Sequence, residues 1–370
     1  MTAPSIMVEQ PEEIDGIQQS FGDLGEYPID SVLIRTESRT VFDVVRRMEK
    51  GQYILDPDFQ REFVWEADKQ SKLIESAIMR IPLPVFYLAE QEDGKIVVVD
   101  GLQRLTTFHR FVEGKFPLRG LKGSSEAFNG SFFKDLAPKF QTRIEDTNLT
   151  LYLIDSKVPE QARLDIFDRV NSGVALSRQQ MRNCLYVGDA TRWLRTQAQS
   201  EAFLKATGGG INAKTMRDRE AINRFCGFYL LGVEGYGKVG GDMDEFLAEA
   251  LRRMNLLAQG KLNELAEKFQ NSMLNNYLVF GQHAFRKHTT PEQSRNVVNI
   301  SLFDVFSVLL ADREQVWVDG QQQKIRELLY GLITNEDFLR AISLGTNSLT
   351  NVRSRFAIAQ DAFKELEHAN

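Results

Sequence analysis

The sequence is poor in sulfur: two cysteines, Cys184 and Cys226, in 370 residues. Two thiols cannot build a disulfide framework. With four histidines and no paired Cys/His spacing, a structural zinc site of the Cys/His kind is not expected either. Long apolar runs are missing; nothing approaches the roughly 18 residues that a membrane-spanning helix needs. The opening MTAPSIMVEQPEEIDG has neither the basic nor the apolar stretch of a secretory leader. A cytoplasmic chain without membrane contact is the expectation. Proline (10) and glycine (26) are too sparse for a fibrous or mainly disordered chain. The first 30 residues contain no Lys or Arg but seven acids: Glu9, Glu12, Glu13, Asp15, Asp23, Glu26 and Asp30. Of 51 Asp and Glu, 44 are left beyond that arm, against 45 Lys and Arg. The body is therefore nearly neutral, which argues against a sequence-independent DNA coat but leaves room for a local basic groove.

What is there is ordinary globular material, 42% hydrophobic and 26% charged, long enough for two domains. Residues 1–30 read as a flexible acidic arm. Ser31–Thr36 looks like a strand. Val41–Lys50 carries apolar residues at 41, 42, 44, 45 and 48, a helical stripe closed by Gly51. Tyr53–Leu55 is a short strand, and Ala67–Arg80 a helix stopped ahead of Pro82 and Pro84. Val85–Glu90 and Ile96–Asp100 flank an Asp-Gly turn and predict a hairpin. Leu102–Glu113 reads as a helix, Leu149–Ile154 as a strand and Gln161–Val170 as a helix. From Ser177 onward the pattern is helical over 177–187, 190–206, 213–232, 242–258, 260–280, 292–312, 320–333, 335–343 and 350–368. Two glycine-rich connectors interrupt it, 207–210 and 235–241. The second, GYGKVGG, lacks the spacing of a phosphate-binding P-loop. The fold class expected is α+β: an α/β domain over 31–175 and an all-helical domain over 176–370.

Three short motifs carry chemistry. Asp100-Gly101-Leu102-Gln103-Arg104 follows a strand and opens a helix. A helix start offers free N–H groups and a dipole that favours an anion. Gly101 permits close approach, Arg104 can fork a phosphate, and Asp100 can hold Mg²⁺ or a water. The plainer alternative is a strand–turn–helix corner with Asp100 as N-cap. Gln60-Arg61 sits among Phe59, Phe63 and Trp65: either a loop docked by its aromatics, or a projecting polar pair. Arg169-Val170-Asn171-Ser172-Gly173 is a helix-ending turn signal whose Asn171 can also meet a phosphate or a metal-held water. Residues 177–224 add nine basic residues against four acids, either a solvated helix face or a nucleic-acid track.

Taken in order, PDFQREFVW, IPLPVFYL, VVVDGLQRLTTFHRF and IFDRVNSGVALSRQQMRN resemble the ParB/sulfiredoxin-like domain with an Asp-Gly-Gln-Gln-Arg signature. That domain forms the N-terminal part of GmrSD-type, modification-dependent restriction enzymes. The resemblance spans about residues 33–190. It implies a nucleotide-dependent component of a bacterial DNA-restriction or antiphage system, an Mg²⁺-dependent NTPase and/or a DNA-nicking enzyme. Carried over by position, it makes Asp100, Gln103 and Arg104 the catalytic group. Gln60, Arg61, Gly101, Arg169 and Asn171 become nucleotide-binding residues, with Asp100 as the metal ligand. It also implies an NTP and Mg²⁺ as cofactors and DNA, including modified phage DNA, as a partner. A nuclease or toxin subunit on another chain and a second copy of this chain are further partners to consider. Two departures stand out. Leu102 replaces the first Gln of the signature: if that Gln orients a water, hydrolysis is lost and a nucleotide- or DNA-sensing regulatory subunit remains; if it packs, little changes. No His-Asn-His nuclease unit is found, and His283 and His288 read as helix-surface residues. The nucleotide reading requires the guanidinium groups of Arg61 and Arg104 to open on one cleft.

Overall fold

In the computed structural model, which describes residues 14–16, 33–54, 65–91, 93–170 and 177–368, the early apolar segments pair into one five-stranded sheet. Its strands are β1 (Ile34–Thr40), β2 (Tyr53–Ile54), β3 (Phe86–Glu90), β4 (Ile96–Asp100) and β5 (Asn148–Ile154), in the order β1-β5-β3-β4-β2. The expected hairpin is present: β3 and β4 are antiparallel, with Leu88 opposite Val98, and Gly94 takes a positive φ in the turn. β5 runs antiparallel to β1 and parallel to β3, and β2 is parallel to β4. Leu149, Leu151 and Leu153 recur at period two on the core side of β5. Ala89, Val97, Val99 and Ile154 are buried outside that cluster, so both faces of the sheet are covered. β1 runs later than expected, through a polar IRTESRT. Its length is set by an unbroken register with β5, from Ile34 opposite Ile154 to Thr40 opposite Asn148, rather than by hydrophobicity.

Helices α1 (Val41–Glu49), α2 (Ala67–Ile78), α3 (Leu102–Val112) and α4 (Pro138–Glu145) share the sheet's main core. α1 begins where the Thr40 hydroxyl accepts the Asp43 N–H at 3.2 Å, and it buries Val41, Val44, Val45 and Met48. α5 (Glu160–Val170) and α6 (Arg178–Leu185) follow. The chain divides into two compact units: an α/β unit of residues 24–176 and 180–187, and a helical unit that contains 177–179 and 188–370 together with residues 14–16.

The helical unit contains α7 (Asp189–Ala198), α8 (Glu201–Thr207), α9 (Arg217–Leu230), α10 (Gly232–Lys238), α11 (Met243–Asn255), α12 (Gln259–Phe280), α13 (Ile300–Leu309), α14 (Gln315–Thr334), α15 (Glu336–Ala341) and α16 (Leu349–His368). With the mixed sheet, this makes the chain α+β. α13 is buried on every side from Ile300 to Ser307, as a helix without a polar face must be. The last carbonyls of α13 and the turn after it are received by α12: Asn271 donates to Ala311, Asn275 to Leu310 and Asn276 to Phe306. The Leu310 and Ala311 carbonyls are ones that a helix end leaves without intrahelical partners, while the Phe306 carbonyl also accepts the Leu310 N–H. Described helices are all too short or too polar to cross a membrane.

Several expectations change here. The stretch 190–206 breaks at Ser200, whose hydroxyl accepts the Phe203 N–H and starts α8. The expected helix over 292–312 begins only at Ile300, where Asn299 caps it by accepting the Leu302 N–H at 2.9 Å. The supposed connector 235–241 is half helix: α10 forms because Tyr236 is fully buried with its hydroxyl against the Gly241 and Asn347 carbonyls. His283 and His288 are not on a helix surface. They are 4% and 3% exposed, outside any α-helix, and stacked with ring centroids 4.8 Å apart. Within the acidic arm, Ile14 is buried, Asp15 pairs with Lys287 at 2.9 Å and accepts from Asn299.

At the centre of the helical unit, Asp304 takes two guanidinium groups. Arg224 binds it bidentately at 2.8 and 2.6 Å, and Arg355 reaches the second oxygen at 2.7 Å. All three side chains are essentially without solvent contact. Burial pushes Arg355 down to about 10, with Arg224 repelling it, while Arg224 is raised because Asp304 outweighs its own burial. Arg355 is thus the surplus cation on one carboxylate. Asp304→Asn should destabilise the protein by about 3–5 kcal/mol, because it strands two buried charges; urea unfolding measures this, and a loss below 1 kcal/mol would contradict it. Burial, with His283 alongside, holds His288 below the ordinary imidazole value against an opposing bond to the Arg286 carbonyl. The unfolded chain therefore binds that proton more readily. The contribution of His288 is complete above about pH 6.5 and is lost as pH falls below it. His288→Phe should flatten part of the decline in melting temperature between pH 6.5 and 5; an unchanged slope would refute this.

Candidate functional site

The corner between β4 and α3 gathers Asp100, Gly101, Gln103 and Arg104. Gly101 makes the turn at φ 96°, and a Cβ there would lie 2.3 Å from the Phe86 ring. Only glycine fits both conditions. Gly101, not Asp100, is the residue at the N-cap, and no side chain caps α3. The expected N-cap role of Asp100 is therefore absent. Its carboxylate instead pairs with Arg104 one turn later, Oδ2 to the guanidinium at 3.0 Å. The first N–H groups of α3 therefore receive no bond from a capping side chain.

Arg104 faces inward. Its guanidinium donates to the Pro84 carbonyl at 2.5 Å and the Val85 carbonyl at 3.0 Å, and it lies 4.2 Å from the centre of the Phe86 ring. Burial lowers its pKa, with Asp100 opposing. The side chain is 12% exposed. Arg104 therefore clamps the entry to β3 onto the exit of β4. Leu102 is 7% exposed and belongs to the main core, so the residue that departs from the signature packs. Gln103 has its side-chain oxygen buried with no hydrogen-bond partner, and one turn on, the Thr106 hydroxyl is in the same state.

The other sequence candidates divide. Arg169 is exposed in the last turn of α5. Gln60, Arg61 and Asn171 lie outside the described residues. Arg104 spends its guanidinium on Pro84, Val85 and Asp100, so the expectation that it opens outward on a cleft is not met, and a phosphate site at this corner has to rest on main-chain N–H groups. Of the nine basic residues in 177–224, four are taken up inside the protein or by carboxylates: Arg178 pairs with Asp244 at 2.6 Å, Arg192 with Asp189 at 2.6 Å, Arg224 with Asp304, and Arg182 is buried.

A polar cluster in the α/β unit was not foreseen. Tyr186 donates to buried Glu160 at 2.5 Å, Arg163 reaches the Glu90 carbonyl, and Gln91 donates to the Leu185 carbonyl at 2.7 Å. The available signal was Glu160 and Arg163 at i,i+3 on a helix that also buries Ala162, Leu164 and Phe167.

Residues 41–187 match the model of the GmrSD restriction endonuclease N-terminal domain. The match ends at the residue where the α/β unit ends. No curated protein matches the sequence.

Gly101→Ala should cost at least about 1–2 kcal/mol from backbone strain alone, and more because the new methyl meets Phe86. Gly114→Ala is the control: its φ is 70° and no atom lies within 4 Å of the added carbon. Urea unfolding of both should show the larger loss at 101; equal losses would remove the steric argument.

Proposed function

Residues 41–187 belong to the GmrSD restriction endonuclease N-terminal domain family, and from that premise we propose that the chain is a nucleotide-dependent component of a bacterial DNA-restriction or antiphage system. The observation that carries the nucleotide part is the uncapped start of α3 beside Asp100. Backbone N–H groups of Leu102, Gln103 and Arg104 meet the phosphates there, aided by the helix dipole. Gln103 can add a donor through its amide N–H₂, since its Oε1 is buried and, as an acceptor, does not bind phosphate. Arg104 acts as a positioning residue, since its donors hold Pro84, Val85 and Asp100. By the family resemblance alone, Gln60, Arg61, Arg169 and Asn171 are proposed as the remaining polar groups that meet the nucleotide.

The donor set fits a hydrated Mg²⁺: Asp100 spends Oδ2 on Arg104 and keeps Oδ1 for a cation or its water. When bound, that ion would neutralise phosphate charge. Asp100 would orient it, and the α3 N–H groups would fix the phosphate.

A second reading has its own support. Arg104 is locked in the corner by Pro84, Val85 and Asp100, so its guanidinium is not free to meet a transferring phosphoryl group or an attacking water. This favours a subunit that senses nucleotide or DNA and governs a nuclease or toxin on another chain.

The test is a thermal-shift screen of the full chain with each NTP, with and without Mg²⁺, followed by phosphate release. At least one NTP should raise the melting temperature. Arg61→Ala should weaken its binding by about 1.5–3 kcal/mol, as for a hydrogen bond to a charged group. Stabilisation without phosphate release selects the sensing reading. No stabilisation by any NTP, or equal affinity in Arg61→Ala, rejects the pocket.

A further inference from the structure

At the far end of α3 from the nucleotide corner, three donor groups converge that the functional reading does not use. Glu49 is the last residue of α1; His109 and Glu113 stand four apart at the end of α3. One ligand atom from each can be chosen so that all lie within 4.8 Å of one another. His109 Nε2 and Glu113 Oε1 are 3.6 Å apart, near the spacing of two donors sharing an ion with bonds of about 2.1 Å. The two helices are fixed by packing, since Val45 and Met48 of α1 and Leu105 and Phe108 of α3 share one core. The donors are therefore held by elements rather than by loops, as a binding site requires.

Charge placement points the same way. Both carboxylates sit at helix C-termini, the negative ends of their dipoles, where a cation is favoured and a carboxylate is not. The nearby arginines of α1 do not relieve them: Arg46 and Arg47 both bind Asp43, at 2.9 Å. Among the described residues, Glu113 pairs with His109 and no ion pair is made by Glu49. Two carboxylates and an imidazole thus share a surface spot, and the two arginines of α1 nearest to it are engaged elsewhere. Glu49 and Glu113 are exposed and His109 is half-buried, so an ion can enter directly and keep water on its open positions.

We propose that Glu49, His109 and Glu113 form a divalent transition-metal site that ties the end of α1 to the end of α3. One imidazole with two carboxylates selects Zn²⁺, Co²⁺ or Mn²⁺ over Mg²⁺ and Ca²⁺, which take oxygen donors and dispense with nitrogen. Three protein ligands leave coordination positions to solvent. The site is separate from the nucleotide corner and does not depend on it.

The experiment uses the full chain stripped with EDTA. Co²⁺ should bind one per chain and give a visible absorption band from nitrogen and oxygen ligation. Zn²⁺ should displace it and raise the melting temperature, while millimolar Mg²⁺ should do neither. His109→Gln and Glu113→Gln should each weaken Co²⁺ binding at least about tenfold, the scale of loss on disturbing even an outer-shell partner. Glu49→Gln/His109→Gln/Glu113→Gln should abolish the band. Its side chains lie at the surface, so its metal-free melting temperature should match or exceed that of the parent. No stoichiometric Co²⁺ band in the parent, or a band that survives the triple substitution, overturns the proposal.

Discussion

The guanidinium of Arg104 decides what the β4–α3 corner can do. It holds two successive carbonyls, Pro84 and Val85, on one side and Asp100 on the other, with Phe86 beneath. Those contacts bring the strand entering the sheet and the strand leaving it to a single point. Gly101 can then turn at a positive φ over the Phe86 ring, and α3 can start without a capping side chain. Had Arg104 pointed outward, Asp100 would be free to cap α3, and the helix start would be closed to a ligand. In the nucleotide reading proposed above, the arginine of the corner would act indirectly: it keeps Asp100 away from the N–H groups that an anion would need.

The helical unit meets a similar problem with charge. Asp304 faces two arginines inside a core of aromatic rings, and the extra positive charge is carried by Arg355, which is also bonded to the Thr346 carbonyl. Arg224 reaches Asn347 as well. A buried carboxylate shared in this way links α9, α13, α16 and the turn before α16. A hydrophobic replacement of the whole triad would pack as well or better, whereas removing one member is costly. The triad's value therefore lies in fixing which helices meet.

Much of this was legible in the sequence. Period-two and period-3.6 patterns located β3, β4, α1, α2 and α3 within a residue or two, and the Asp-Gly pair marked the hairpin. Legibility failed where tertiary partners overrode local signals. β1 extends through polar residues because β5 offers a full ladder. α10 forms through glycines because Tyr236 finds two carbonyls. His283 and His288 looked like surface residues because nothing local reveals a partner ring. At the corner, the sequence identified Gly101 and Arg104 as special. It could not show that the partners of Arg104 are main-chain carbonyls twenty residues upstream, since carbonyls leave no trace in residue identity.

Charge counting has a related blind spot. Nine basic residues over 177–224 suggest a track for nucleic acid, yet the potential at a surface depends on which charges remain uncompensated in three dimensions. Arg224 and Arg182 are inside, and Arg178 and Arg192 have carboxylate partners. The opposite holds at the ends of α1 and α3. There the sequence is rich in arginine and lysine, yet Arg46 and Arg47 are engaged by Asp43 while two carboxylates and a histidine draw together. A composition search for Cys/His spacing passes over such a site because its donors come from helices sixty residues apart and two of them are glutamates. Local excess charge, of either sign, is a property of the packed helices, and the binding chemistry follows the excess that packing leaves behind.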